Sequence, residues 1–137
     1  MPTTTEFSVS MQDQPGTLGR ICRALADRKV NIVAFQSMPF QGESLVRFVV
    51  DNPKTAKSIL DAQKLPFEET EVVQARFPHR PGELARAASQ LGENNININY
   101  GYCGVDPGTN APLLIFGVAD ATRAAKILDK TAAAAAG

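Results

Sequence analysis

Two stretches of this chain repeat each other in register, which limits the architectures open to it more than any single motif. Gln14-Pro15-Gly16-Thr17-Leu18 returns as Arg80-Pro81-Gly82-Glu83-Leu84, and Val30-Asn31-Ile32 returns as Ile96-Asn97-Ile98, each 66 residues later. A fixed internal period marks one structural unit used more than once. The 137 residues are therefore expected to hold two copies, over residues 1–70 and 71–137. Each copy is near the size at which a core is marginal alone, so the two are expected to support each other.

The order of elements within a copy follows from its hydrophobic periods. Alternating Phe7, Val9 and Met11, matched by Val73, Ala75 and Phe77, predict a strand with one buried face. Pro15-Gly16 and Pro81-Gly82 supply the two central residues of a type II turn, where Gly takes the positive φ. Leu18, Ile21, Cys22 and Leu25, like Leu84, Ala87, Ala88 and Leu91, have the spacing of a helix with one apolar stripe, which Thr17 is placed to cap in the first copy. Val30, Ile32 and Ala34, then Ile96, Ile98 and Tyr100, predict a second strand, and Leu45 to Val50 and Leu113 to Val118 a third.

Asp51-Asn52-Pro53 then offers an N-cap and a Pro at the first helical position, with Asp120 in the place of Asn52. Ala56, Ile59 and Leu60 correspond to Ala124, Ile127 and Leu128 at an offset of 68, so two extra residues are expected in a Gly- and Pro-marked loop around Gly101 to Pro112. The resulting β-α-β-β-α order is an α+β fold: two ferredoxin-like split βαβ units, each an antiparallel sheet with helices on one face. A last strand fits only in the first copy, at Phe67 to Thr70, and it runs into Glu71 without a Gly or Pro break. Phe67 to Phe77 is accordingly expected either as one long strand or as a strand paired with its equivalent from a partner chain. In the second copy Asp129 to Gly137 is Ala-rich and reads as a helix extension or frayed tail.

Composition removes several function classes. Lys plus Arg and Asp plus Glu both number 14, so no net field gathers nucleic acid or anionic membrane. No apolar run nears the roughly 18 residues of a membrane span. Cys22 and Cys103 are too few for a metal cluster or disulfide framework, and Cys22 reads as a small core residue. A soluble protein of a reducing, cytoplasmic compartment is expected, with no metal or other cofactor.

The residues so far carry a family resemblance. Asp13-Gln14-Pro15-Gly16-Thr17-Leu18 followed by Val30-Asn31-Ile32 is similar to the Asp-x-Pro-Gly-x-Leu and Asn-Ile signature of ACT domains, small-molecule-sensing modules of regulated amino-acid metabolism. The second copy keeps Pro81, Gly82, Leu84, Asn97 and Ile98 but has His79 in place of the Asp. The whole chain thus resembles a free-standing tandem ACT protein. That resemblance implies sites where the Asn of one unit faces the turn of an adjacent unit. By position the first site comprises Met11, Gln12, Asp13, Gln14, Pro15, Gly16, Thr17, Leu18 and Asn31; the second comprises Phe77, Pro78, His79, Arg80, Pro81, Gly82, Glu83, Leu84 and Asn97. Helix-end physics agrees with an amino-acid ligand. A turn entering a helix presents unpaired N–H groups at the positive end of the dipole, where a carboxylate is favoured.

Each of these residues also has a plainer reading. Gly16 and Gly82 serve a turn whether or not anything binds, and Asn31 and Asn97 can end a helix by local hydrogen bonding. Leu18 and Leu84 belong to the core by their spacing. His79 reads as solvated surface, and Arg76, Arg80 and Arg86 either form a local basic patch or are solvated. Tyr100 and Tyr102 either line a pocket or pack on one face. Catalysis is disfavoured because no nucleophile-base pair, paired acids or phosphate loop is present. RNA-recognition modules share the element order, but neither third strand carries their Arg/Lys-Gly-aromatic motif. The expected function is a non-catalytic regulatory binder of an amino acid, acting as a homodimer; the alternative is a pure assembly module without ligand.

Overall fold

A computed structural model describes residues 3–136, with side chains through residue 129. Its elements are β1 (Thr3–Met11), α1 (Thr17–Asp27), β2 (Ile32–Phe40), β3 (Glu43–Val50), α2 (Pro53–Ala62), β4 (Phe67–Arg76), α3 (Glu83–Glu93), β5 (Tyr100–Val105), β6 (Pro112–Gly117) and α4 (Ala121–Ala136). This is an α+β fold of antiparallel strands and helices. The chain divides into two compact units, Thr5–Thr70 and a second that comprises residues 71–136 with Thr3 and Thr4.

In the first unit β3 is central and pairs antiparallel with β1, Phe7 opposite Phe48, and with β2, Phe35 opposite Phe48. Alternation places Phe7, Val9 and Met11 of β1 and Val46, Phe48 and Val50 of β3 on one face, where Ile21 and Leu25 of α1 and Ala56, Ile59 and Leu60 of α2 cover them. Phe7 stacks on Phe48 at 5.7 Å and meets the edge of Phe67 at 5.8 Å. A buried ring with such contacts is worth about 3–5 kcal/mol against alanine. On the opposite face Glu6 is fully buried, with its carboxylate 3.9 Å from Arg47 Nε. The β2–β3 hairpin turns through Gln41 and Gly42, both at positive φ (52° and 81°), as a two-residue turn between twisted strands requires.

In the second unit β6 is central, pairing antiparallel with β4 over Val73–Arg76 and with β5 over Tyr100–Val105. Val73, Ala75 and Phe77, with Phe116 and Val118, face Ala87 and Leu91 of α3 and Ala121, Ala124 and Leu128 of α4. Asn52 and Asp120 cap α2 and α4, accepting from the N–H groups of Thr55 at 3.1 Å and Arg123 at 3.0 Å.

Several expectations change. The segment from Gly101 read as loop is strand β5 as far as Val105, and only residues 106–111 connect it to β6. Gly101 and Gly104 signalled a break, but cross-strand pairing overrides their weak strand preference, and Gly101 lies close against Phe116. Ile96 and Ile98 precede the regular strand, which begins at Tyr100. Thr17 is the first helical residue rather than the cap; Gly16 takes that place without a side-chain bond. Leu84 is 55% exposed, and the buried face of α3 is Glu83, Ala87 and Leu91. Phe67 to Arg76 form one continuous strand. The segment after Asp129 continues α4 to Ala136, and Gly137 lies outside the described residues.

Candidate functional site

Backbone chemistry builds the junction at the start of α1. The Gln14 carbonyl accepts from the Thr17 N–H at 3.3 Å, closing a type II turn over Pro15 and Gly16, and Gly16 has φ 89° and ψ −12°. An L-residue with a side chain is strained there, which explains the Gly. The Gly16 carbonyl then accepts from the Arg20 N–H at 3.0 Å, the first bond of the helix. Because no cap side chain reaches back, the N–H groups of Leu18 and Gly19 have no bond among the described residues. They lie at the positive end of the helix dipole.

Beside this first turn is an open cleft of about 150 Å³, lined by Met11, Thr17, Arg20, Ile21, Gln63 and Leu65. Met11, Ile21 and Leu65 supply its apolar lining, and Thr17, Arg20 and Gln63 its polar groups. Arg20 is exposed and pairs with no carboxylate among the described residues. An unpaired guanidinium, a hydroxyl and free helix-end N–H groups next to an apolar lining suit a small carboxylate bearing an apolar group.

Only part of the sequence-derived site converges here. Met11 and Thr17 line the cleft; Pro15 and Gly16 shape its approach; Leu18 is half-buried against the core. Gln12, Asp13 and Gln14 are exposed, with Asp13 accepting from the Ser44 hydroxyl at 3.1 Å. Asn31 is exposed, and its main chain pairs with Asp51: the backbone N–H donates to Asp51 Oδ1 at 2.9 Å, and the carbonyl accepts from the Asp51 N–H at 3.1 Å. Arg20, Gln63 and Leu65 were missed, and Ile21 was read only as core. Helical spacing places residues 20 and 21 on the side of Thr17 and was the available signal. Gln63 and Leu65 arrive through the packing of α2 and had none.

The equivalent junction before α3 repeats the backbone. Gly82 has φ 92° and ψ −14°, and its carbonyl accepts from the Arg86 N–H at 2.9 Å. Its side chains differ. The Glu83 carboxylate, 8% exposed, accepts from Arg80 Nε at 2.6 Å through one oxygen and from Arg86 through the other. The hydrogen bond from Arg80 is the main reason its acidity is raised, with Arg86 contributing. Arg76 pairs instead with Asp106 at 3.2 Å, while Arg80 and Arg86 share the one Glu83 carboxylate. Phe77 is buried, while Pro78, His79, Pro81 and Leu84 are exposed. Asn97 donates to Asn99 Oδ1 at 2.9 Å and bonds none of the turn residues.

Residues 5–64 match the ACT domain family. No curated protein sequence matches the chain. Among solved structures, a Bacteroides thetaiotaomicron protein superimposes with a TM-score of 0.83 at 20% identity, over 94% of this chain and 88% of that one. The ligand-free regulatory subunit of aspartate kinase from Thermus thermophilus gives 0.62 at 16% identity, covering 93% and 91%. A structure of aspartokinase alpha and beta subunits gives 0.63 at 18%, covering 92% and 90%. At these identities the likeness is one of fold. The first unit carries the ACT match, and no helix among the described residues is long and apolar enough to cross a membrane.

Proposed function

We propose that this chain is a non-catalytic regulatory protein that senses an amino acid at the junction of β1 and α1, and that its second unit is a diverged copy of the first. The observation that carries this reading is the unpaired Arg20 beside an apolar-lined cleft at an uncapped helix start. The carboxylate would meet Arg20 and the N–H groups of Leu18 and Gly19, and the side chain would lie toward Met11, Ile21 and Leu65. The ACT match over residues 5–64 supports the ligand class, and the regulatory-subunit neighbours support the fold in which it is placed. The sequence-derived sites at residues 11–18 with Asn31, and 77–84 with Asn97, remain the wider neighbourhood of this reading. A cytoplasmic homodimer is the assembly we favour, supported by Phe35, Met38 and Phe40, which leave apolar surface exposed on β2.

A thermal-shift panel of the proteinogenic amino acids tests the sensor reading, because a ligand of the native state raises its melting temperature by mass action. At least one amino acid should do so. Arg20→Ala and Gly16→Val should each remove the response while leaving a cooperative transition, the first by deleting the charge and the second by distorting the turn. An unchanged response in both folded variants would falsify this placement.

A further inference from the structure

The repeat allows a comparison inside one molecule. Gln14 N–H donates to the Gln12 carbonyl at 3.0 Å, and Arg80 N–H to the Pro78 carbonyl at 3.0 Å. The turns close at 3.3 and 3.5 Å, and the first helical bonds measure 3.0 and 2.9 Å. Even the exits agree: Lys29 and Asn95 both stand at φ 59°, and Val30 and Ile96 both donate back to the helix, to Leu25 and Leu91. With the main chain held constant, the side chains differ, and two changes lie beside a shared arginine: Gln14 and Thr17 in the first unit are Arg80 and Glu83 in the second, whereas Arg20 is kept as Arg86.

We propose that Glu83 is a built-in carboxylate, filling in the second unit the place that the first leaves for an external one, so that the residue at this position decides which unit takes a ligand. A carboxylate this buried is stable only if its charge is met. Here each oxygen has its own guanidinium, from Arg80 and from Arg86. In the first unit Arg86 has its counterpart in Arg20, but Thr17, at the place of Glu83, has no carboxylate to meet it. In the second unit the counterpart of Arg20 is therefore already paired, and one chain binds one ligand. This stoichiometry rests on the sensor reading of the first unit; the self-occupied second site does not depend on it.

The test uses the full chain. Glu83→Ala deletes an acetate-sized fragment from between two arginines, so acetate should restore what was lost. Titrated with sodium acetate against sodium chloride at equal ionic strength, Glu83→Ala should gain about 4 °C or more in melting temperature at saturation. An Arg20→Ala background removes the first unit's own carboxylate site, and in it neither the otherwise unchanged chain nor Glu83→Ala carrying Arg86→Met as well should show an acetate-specific gain, whereas Glu83→Ala should keep its gain. Glu83→Thr, which installs the first unit's residue, is the second variant and should respond like Glu83→Ala. A folded variant with no acetate-specific gain overturns the proposal. Failure of both to fold even in acetate overturns it too, because Glu83 would then be a structural requirement and not an exchangeable occupant. An acetate response in a protein whose wild type answers no amino acid would leave this inference standing and remove the sensor reading.

Discussion

Glu83 and Asp106 show how single residues tune the second unit. Glu83 is held ionised by Arg80 and then Arg86, Asp106 by the Thr109 hydroxyl at 2.8 Å and then by Arg76, and both carboxyls sit below their ordinary range. A carboxylate with a lowered folded-state pKa contributes stability that is complete above its unfolded value, about 4 for Glu and Asp, and is lost as pH falls through the folded value. Wild type should therefore lose melting temperature steeply below about pH 4. The Glu83→Gln, Asp106→Asn double variant should start lower at pH 7 and flatten in acid. Equal acid slopes for the two proteins would show that these pairs do not govern acid stability. Cys22 behaves differently: half-buried against the first core, its thiol is pushed up by burial, as suits a packing residue.

At the scale of elements, β4 is the least ordinary feature. Its ten residues run through the boundary between the units, Phe67 packing in the first core and Val73 and Ala75 in the second. A fourth strand and a following first strand have been made continuous because no Gly or Pro separates Thr70 from Glu71. Val73 to Arg76 pair with Phe116 to Leu113 of β6, so their amides should rank among the slowest to exchange. Gln74→Pro, opposite Ile115, removes a donor from the strand and should speed exchange along both β4 and β6. Rapid exchange across residues 73–76 in the wild type would contradict the continuous strand. The apolar positions of each helix were legible from spacing, yet the exact stripe on α3 was not. Glu83 displaced Leu84 from the buried face because two arginines offset its charge, a pairing that hydrophobic periodicity does not register.

For the whole molecule, ligand sensing and assembly are separable readings with separable measurements. Light scattering across the micromolar range should return twice the 14.7 kDa chain mass. Replacing Phe35 and Phe40 with Ser, both about half-exposed, should shift that mass toward the monomer at little cost in chain stability. A wild-type monomer throughout the range counts against the dimer while leaving the Arg20 cleft intact. Amino-acid stabilisation confined to the dimer would instead join the two readings.

What the residues alone determined was local and periodic. Pro-Gly at a fixed spacing requires a turn with positive φ at Gly16 and Gly82; Asn52-Pro53 and Asp120 start helices; alternating and helical spacings order the strands and α-helices. Each of these depends on neighbours within a few positions. Tertiary structure decided where short-range preference was weak or where distant segments meet. Pairing with β6 made a strand of Tyr100–Val105 despite its glycines, and packing of α2 brought Gln63 and Leu65 to Thr17 and Arg20. The Asp51 carboxylate, 20 residues away in sequence, fixes the main chain at Asn31 by accepting from its backbone N–H. A repeated motif thus specified a repeated backbone, but the chemistry at each copy was set by side chains whose charges are balanced only once the chain has folded.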